Sequence, residues 1–341
     1  MAKSSSNSEG EKPCRRGFEP EDPGLKRRLN ALMTASTGAS LLAIAADWII
    51  LLAAAIASWL AFQFHGITVL PAGIYSCAAL LIASRQRGME NLLHEATHKH
   101  LSSNPRLNDA IAWYLALPLG HCLPMERRSH MKGHHSHFWD GAYDPDFQRY
   151  IAMGLHKLPV ASPWQLLAIL VRGLPIYFCG AVRAFFFPPG EPALLRLVRA
   201  GFWLIVVVLV LTTGVIVPFV IYWLVPFVIV LTPLRYIAEL SEHSAMGCSS
   251  EFGTTRNNIG WVQRYFLHPH GDGFHLVHHL YPGVPFYNLA RVHALLMQDP
   301  VYRSAGRHCY GLILTSKGCH STLADLTNRT EREPQTDPQL S

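Results

Sequence analysis

Long apolar runs that are poor in charged residues alternate along this chain with polar, histidine-rich blocks. At about 1.5 Å per helical residue, a run of about 20 residues crosses the hydrocarbon core of a bilayer. Short connections at His65-Gly66 and at Thr212-Thr213-Gly214 divide the runs. The pattern predicts four transmembrane helices in two hairpins, at about residues 46–64, 67–84, 194–212 and 215–234.

Two further apolar stretches fit a transmembrane helix poorly. Residues 110–119 are too short to cross a bilayer, so we expect them to pack beneath the spans or lie at the interface. Residues 162–187 contain Arg172, Pro175 and Arg183, and charged residues inside a span are costly. We therefore expect one or two interfacial helices in this second stretch.

The two ends of the chain are polar. Residues 1–28 contain few apolar side chains, and residues 317–341 are rich in Pro, Gln, Asp and Thr. Such composition favours disorder, so we expect a disordered cytosolic tail at each end of a single membrane domain, residues 29–316. The sequence predicts an all-α integral membrane protein with four transmembrane helices and a helical cap that carries the histidines.

The distribution of basic residues predicts the orientation. The short connections inside the hairpins carry no Lys or Arg, whereas the polar blocks carry nearly all of the 29. The positive-inside rule then places both termini and the histidine-rich blocks on the cytoplasmic side. The same distribution accounts for the net charge of +6, so nucleic-acid binding need not be invoked. The seven cysteines form no CxxC pair, which argues against a zinc–thiolate site or a disulfide scaffold.

Three clusters hold eight of the 19 histidines. They are HxxxH at His94 and His98, HxxxHH at His130, His134 and His135, and HxxHH at His275, His278 and His279. Residues three and four apart share a helix face, so each cluster should direct at least two imidazoles to one point. Imidazole binds zinc, copper, iron and nickel, and eight ligands exceed what one ion needs. The residues alone predict two first-row metal ions of open identity.

Sequence around the clusters carries further motifs. HEATH spans His94–His98, DPD spans Asp144–Asp146, a Glu242-His243 pair follows the last apolar run, and the third cluster continues as HHLYPGVPFYNL. In this order, the motifs resemble those of the membrane-bound fatty acid desaturase family, over about Gly88–Leu296. The resemblance implies two non-haem irons, O2 as co-substrate and His243 as a ninth ligand.

Metal-bound histidines usually donate their second ring N–H to a carboxylate or carbonyl. The candidates for this supporting role are Asp146, Asp272, Glu239 and Glu242. Asp146 and Asp272 are favoured because each lies beside a cluster within a family-like stretch. His270 is a possible extra ligand because it lies where the family often has Asn or Gln shortly before the third cluster. His137 is another, because it closely follows the second cluster.

The resemblance implies oxygen-dependent desaturation of a fatty acyl chain, lipid-linked or as a thioester. A hydroxylase on the same scaffold is the nearest alternative, and only the product separates the two. A membrane haem protein or a metal transporter is more remote, because each requires polar ligands within the spans.

No electron-carrier segment or dinucleotide-binding motif is evident in the sequence. The resemblance therefore implies a separate ferredoxin- or cytochrome b5-like donor with its reductase. Arg127, Arg128 and Lys132 form a basic patch that suits an acidic partner or, equally, anionic lipid.

Overall fold

The computed structural model describes residues 17–247, 250–314 and 319–327, and it is 71% helical. In these ranges the α-helices are α1 Pro23–Asn30, α2 Thr37–His65, α3 Val69–Thr97, α4 Pro105–Ala116, α5 Leu123–Arg127, α6 Pro145–Met153, α7 Pro163–Phe186, α8 Ala193–Thr213, α9 Ile216–Phe219, α10 Leu231–His243, α11 His275–Leu280, α12 Phe286–Leu296, α13 Pro300–Ala305 and α14 Thr322–Thr327. The π-helical segments are Arg128–His134, Val220–Leu224, Pro226–Val230 and Gln263–Leu267, and the 3-10 turns are Leu155–Lys157, Glu251–Gly253 and Pro269–Gly271. The strands are β1 Asn257–Asn258, β2 His308–Gly311 and β3 His320–Ser321.

Four helical segments in the described part of the chain are long and apolar enough to cross a membrane. They are α2, α7, α8 and the segment Ile216–His243, which joins α9, two π-helical segments and α10. Three of these contain predicted spans. The predicted span 67–84 lies in α3 but is not among the four, because Arg85 and further polar residues follow directly on its apolar part.

Helix α7 differs from the prediction for residues 162–187. It is one continuous helix of 24 residues, although we expected interfacial helices there. Arg172 and Arg183 are both exposed, and their long side chains can extend away from an apolar helix surface. The helix also continues through Pro175. Two arginines and a proline therefore do not divide it, and its length and composition group it with the potential spans.

Helices α2 and α3 pack along each other and position the first histidine cluster. Asp47 pairs with Arg85 at 3.2 Å, and the rings of Phe62 and Tyr75 meet at the other end. Asp47 is fully buried, so its pairing with Arg85 offsets the loss of hydration. Beyond Arg85, α3 continues into the polar block as far as Thr97. The first cluster thus lies on the extension of a helix that begins in an apolar region.

Both chain ends are folded where the structure describes them, which corrects two expectations. The predicted tail 1–28 includes most of α1, whose Leu25 and Leu29 are buried against α11 and α12. The predicted tail 317–341 includes β3 and α14. Residues 1–16, 315–318 and 328–341 lie outside the described residues. An amphipathic spacing of two leucines on α1 supplies enough apolar surface to dock an otherwise polar segment.

A small parallel sheet also corrects the all-α prediction. Its order is β1-β2-β3, with Asn257 opposite His308 and Cys309 opposite His320. These strands are two to four residues long and polar, so the alternation that reveals a strand in a sequence is absent. The sheet joins the region after α10 to the C-terminal segment.

We expect Leu29→Ala to lower the free energy of unfolding by about 2–5 kcal/mol, because Leu29 is only 1% exposed in the core beside the third cluster. Thermal unfolding in detergent would measure this change. Arg28→Ala, at an exposed position of the same helix, is the matched control and should unfold at the wild-type temperature. Equal unfolding temperatures for all three proteins would show that α1 is not docked.

Candidate metal centre

The last turn of α3 carries the first cluster. His94 lies in this turn and His98 is its C-terminal cap, so both rings project from one face. Glu95, between them, is buried and accepts hydrogen bonds from the backbone N–H of Phe286 at 2.8 Å and from His100 at 3.1 Å. The bond from Phe286 joins the first cluster to the start of α12, shortly after the third cluster.

The second cluster lies on a π-helical segment, Arg128–His134, rather than on an α-helix. The N–H of His135 bonds to the carbonyl of His130 at 2.8 Å, which is the five-residue spacing of a π-helix. His130 and His134 consequently face different neighbours. His130 reaches His94 and His98, whereas the ring of His134 lies 4.8 Å from that of His243, between centroids.

The third cluster occupies α11, and His243 is the last residue of α10. Successive residues on α11 point in different directions, so His278 and His279 are divided in the same way as His130 and His134. The expectation that each cluster directs at least two imidazoles to one point therefore describes His94 and His98 but not His130 and His134. The second and third clusters are each shared between two convergent groups.

We call these the first and second histidine groups. The first group contains His94, His98, His130 and His278, and the second contains His134, His243 and His279. Within each group, one ring nitrogen from every member lies within 4.8 Å of all the others. His275 adjoins the second group, because its Nε2 lies 3.0 Å from Nε2 of His243. His135 lies between the groups, 3.2 Å from Nε2 of His278 and with its ring stacked on that of His279.

The separations between nitrogens fit a metal site. Around an ion with metal–nitrogen bonds of about 2.0–2.1 Å, neighbouring ligand nitrogens lie about 3 Å apart. Nε2 of His130 is 2.8 Å from that of His94 and 2.9 Å from that of His98. Among the described residues, the buried Nε2 of His279, a member of the second group, lacks any hydrogen-bond partner. Such orphaned nitrogens are costly unless something binds them.

The electrostatics favour neutral, ligating imidazoles at the members of the groups other than His134. Burial lowers the pKa of His98, His130 and His278 well below the usual histidine value, and neighbouring imidazoles lower it further. The same two causes lower the pKa of His275 and His279. A neutral imidazole is the form that binds a metal ion, so these residues need not lose a proton near neutral pH.

Comparison with known proteins agrees with this geometry. The family model described as fatty acid desaturase matches residues 69–311. The chain belongs to the fatty acid desaturase family. It is also similar to dihydrorhizobitoxine desaturase from Bradyrhizobium elkanii, with 30% identity over 280 residues, which cover 76% of this chain and 78% of the relative. The resemblance inferred from the histidine motifs is thereby confirmed, and membership of this desaturase family implies an oxidoreductase.

Two carboxylates, those of Asp144 and Asp146, lie next to Nδ1 of His134 and hold its ring. Nδ1 of His134 lies 3.3 Å from both oxygens of Asp144 and 3.4 Å from Asp146. Burial opposes protonation of His134, but the hydrogen bond to Asp144 and the charge of Asp146 outweigh it and leave its pKa raised. Asp144 is 1% exposed and also caps α6, whereas Asp146 is the residue that the sequence favoured.

The other three predicted carboxylates have different partners. Glu242 comes within 4.0 Å of Nε2 of His275. Asp272 instead pairs with His268 at 3.1 Å and with Arg87 at 3.3 Å. Glu239 is removed from this arrangement, since its carboxylate binds Arg149 and Tyr177. Asp272 and Glu242 therefore belong to a buried ionic network centred on Arg87, which the sequence analysis missed.

The two possible extra ligands lie outside the histidine groups. His137 is exposed, and its Nδ1 bonds to the carbonyl oxygen of Lys132 at 2.8 Å. His270 has a left-handed backbone with φ of 59°, and its Nε2 lies 2.7 Å from the buried carboxylate of Asp47 on α2. No local signal could have predicted that partner, because the two residues are 223 positions apart.

His270 does line a small cavity next to the first histidine group. The cavity is lined by Asn91, His94, Glu95, His270, Asp272, His278 and Leu289. Two of these, His94 and His278, belong to the first group, so the cavity adjoins potential ligands directly.

We expect Asp144→Asn to reduce metal affinity about 10- to 100-fold, because the amide keeps the α6 cap but loses the charge that holds the His134 ring. Titration of the metal-free protein with Fe(II) or Co(II) would measure this. Asp140→Asn, in the same loop, is the control and should bind like wild type. Wild-type affinity in Asp144→Asn would contradict the supporting role.

Proposed function

We propose that this chain is a membrane-bound, O2-dependent desaturase whose two histidine groups hold two non-haem irons. The observation that carries the proposal is the convergence of nine buried or half-buried histidines from four chain segments into two adjoining groups. An all-imidazole set of this size suits first-row transition metals better than calcium or magnesium, which prefer oxygen ligands. The family match supports iron in particular.

One iron would be held by His94, His98, His130 and His278. The other would be held by His134, His243 and His279, with His275 and His135 beside them completing the nine. Bound iron supplies the redox chemistry that couples O2 and two external electrons to C–H cleavage. In the balanced reaction, a –CH2–CH2– unit becomes –CH=CH–, and O2, two electrons and two protons together with the two hydrogens form two waters.

The protein's own residues fix the ligands and exclude water. The carbonyl oxygen of Thr254 lies 3.1 Å from Nδ1 of His243. The carboxylate of Asp144 likewise lies next to Nδ1 of His134. Each contact selects one ring orientation and directs Nε2 toward its group. His134, His243, His275 and His278 are at most 5% exposed. Such burial protects a reactive centre from bulk solvent.

Electrons would come from a separate ferredoxin- or cytochrome b5-like carrier with its reductase, docking on the cytoplasmic side. Arg128 and Lys132 are exposed next to the second cluster, which supports docking of an acidic carrier there. Arg127 contributes less to such a patch, because it pairs with Asp109 at 2.6 Å.

The family implies a lipid or acyl substrate, and we propose a fatty acyl chain, lipid-linked or as a thioester. The relative's name gives dihydrorhizobitoxine as that enzyme's substrate, so this compound is the second candidate for product analysis. A hydroxylase on the same scaffold would return a hydroxyl group to the substrate in place of a double bond. The mass of the product separates the two reactions.

Elemental analysis of detergent-purified protein, expressed with iron available, should give about two irons per chain. The two-ion expectation follows from the two histidine groups. Lipid extracts or supplied acyl substrates should then show a loss of two mass units in the product. One zinc per chain, or no metal in folded protein, would contradict the di-iron proposal.

His278→Ala should abolish desaturation, because it removes a ligand from the first group. Membrane insertion should be unchanged, since His278 lies outside the apolar segments. Product analysis of membranes measures the former and alkaline carbonate extraction the latter. His156→Ala, at an exposed histidine outside both groups, is the control and should retain turnover. Turnover by His278→Ala would contradict the ligand assignment.

A further inference from the structure

Five consecutive polar residues, Thr254-Thr255-Arg256-Asn257-Asn258, are buried between the two helices that carry His243 and the third cluster. Thr254 is 5% exposed and the other four are fully buried. Buried polar groups are costly unless they are hydrogen-bonded, so such a run needs a structural reason. We call residues 254–258 the polar brace.

The brace satisfies the C-terminal end of α10. Thr255 Oγ1 donates to the carbonyl of Glu242 at 2.8 Å. Arg256 donates to the carbonyls of Ser241 at 3.2 Å and Ser244 at 2.6 Å. The last carbonyls of a helix have no partner within the helix, so these bonds cap α10 at the residues around His243.

The same segment caps the N-terminal end of α11. Asn257 Oδ1 accepts from the backbone N–H groups of Leu276 at 3.1 Å and Val277 at 3.4 Å. Phe274, at the N-cap position itself, supplies no side-chain acceptor. Asn257, on strand β1, therefore caps the N-terminus of α11, a role that a Ser or Asp at the N-cap position usually has.

The C-terminal segment completes the brace. Asp325 on α14 forms an ion pair with the fully buried Arg256 at 3.1 Å. Thr322 donates to Asn258 Oδ1 at 2.8 Å. Asp325 thus provides the opposite charge that a buried guanidinium requires.

We propose that the polar brace, together with Asp325, positions His243 relative to the third cluster and thereby determines metal affinity at the second histidine group. This inference rests on the proposed metal-binding function. His243 and His275 are 32 residues apart in sequence, yet their Nε2 atoms lie 3.0 Å apart. The brace bonds to both helices that carry them. Metal ligation tolerates only a few tenths of an ångström, so loss of either cap displaces a ligand.

The test compares Asn257→Leu with Asn257→Asp. Leucine removes the acceptor for Leu276 and Val277 and also the Nδ2 donor to Tyr302. Aspartate loses the donor but keeps the acceptor, which suits a helix N-terminus. Binding of Co(II) to metal-free protein in detergent is followed by its visible absorption and by equilibrium dialysis. We expect Asn257→Leu to bind the weaker metal equivalent at least tenfold less tightly than wild type. Asn257→Asp should bind this equivalent more tightly than Asn257→Leu does, because it keeps the acceptor for α11.

A second set of three variants retains the test if Asn257→Leu does not fold. Deletion of residues 319–341 removes Asp325 and Thr322, whereas deletion of residues 328–341 leaves both. The first deletion and Asp325→Asn should lose the weaker metal equivalent, and the second deletion should bind as wild type does.

The outcomes separate the brace from the proposed function. Two metals bound at wild-type affinity by folded Asn257→Leu or Asp325→Asn would overturn the brace. Weakened binding in Asn257→Asp equal to that in Asn257→Leu would also overturn it, because the acceptor would then be irrelevant. Absence of metal binding in wild type would instead contradict the proposed function itself.

Discussion

The structure depends on bringing many imidazoles together in a largely buried place. Burying a single histidine costs little free energy. When nine lie in contact, both ring nitrogens of each need a partner, either a hydrogen bond or a metal ion. The sequence meets this demand from four segments: the extension of α3, a π-helical segment, the end of α10, and α11. Since no segment holds a complete group, the surrounding architecture serves chiefly to align these four.

Ion pairs between charged residues on different helices provide much of that alignment. Asp47 joins α2 to Arg85 on α3, and Glu90 on α3 binds Arg235 on α10. Arg87 contacts Asp272 and Glu242, which flank the third cluster and His243. A buried charge without its partner is far more costly than the pair, so these contacts define one arrangement of α2, α3 and α10.

Local features of the sequence identified the histidines that the fold brings together, but few of the residues that support them. The spacing of histidines and the apolar runs are local, and both identified the family correctly. The π-helix was not predictable because the HxxxHH spacing is compatible with both an α-helix and a π-helix. The polar brace reads as an ordinary surface loop, since only tertiary structure buries Thr254 to Asn258. Asp325 and the leucines of α1 were overlooked for the same reason, namely that their partners are distant in sequence.

Docking of α1 on α11 has a consequence for how the protein is made. Leu29 is synthesised about 250 residues before the α11 leucines that share its core. At 5–20 residues per second, that interval is about 12–50 s. During this time the apolar face of α1 has no partner within the nascent chain, and a membrane surface is a natural temporary host for it. The core that α1 shares with α11 and α12 is therefore completed only after α12 has been made.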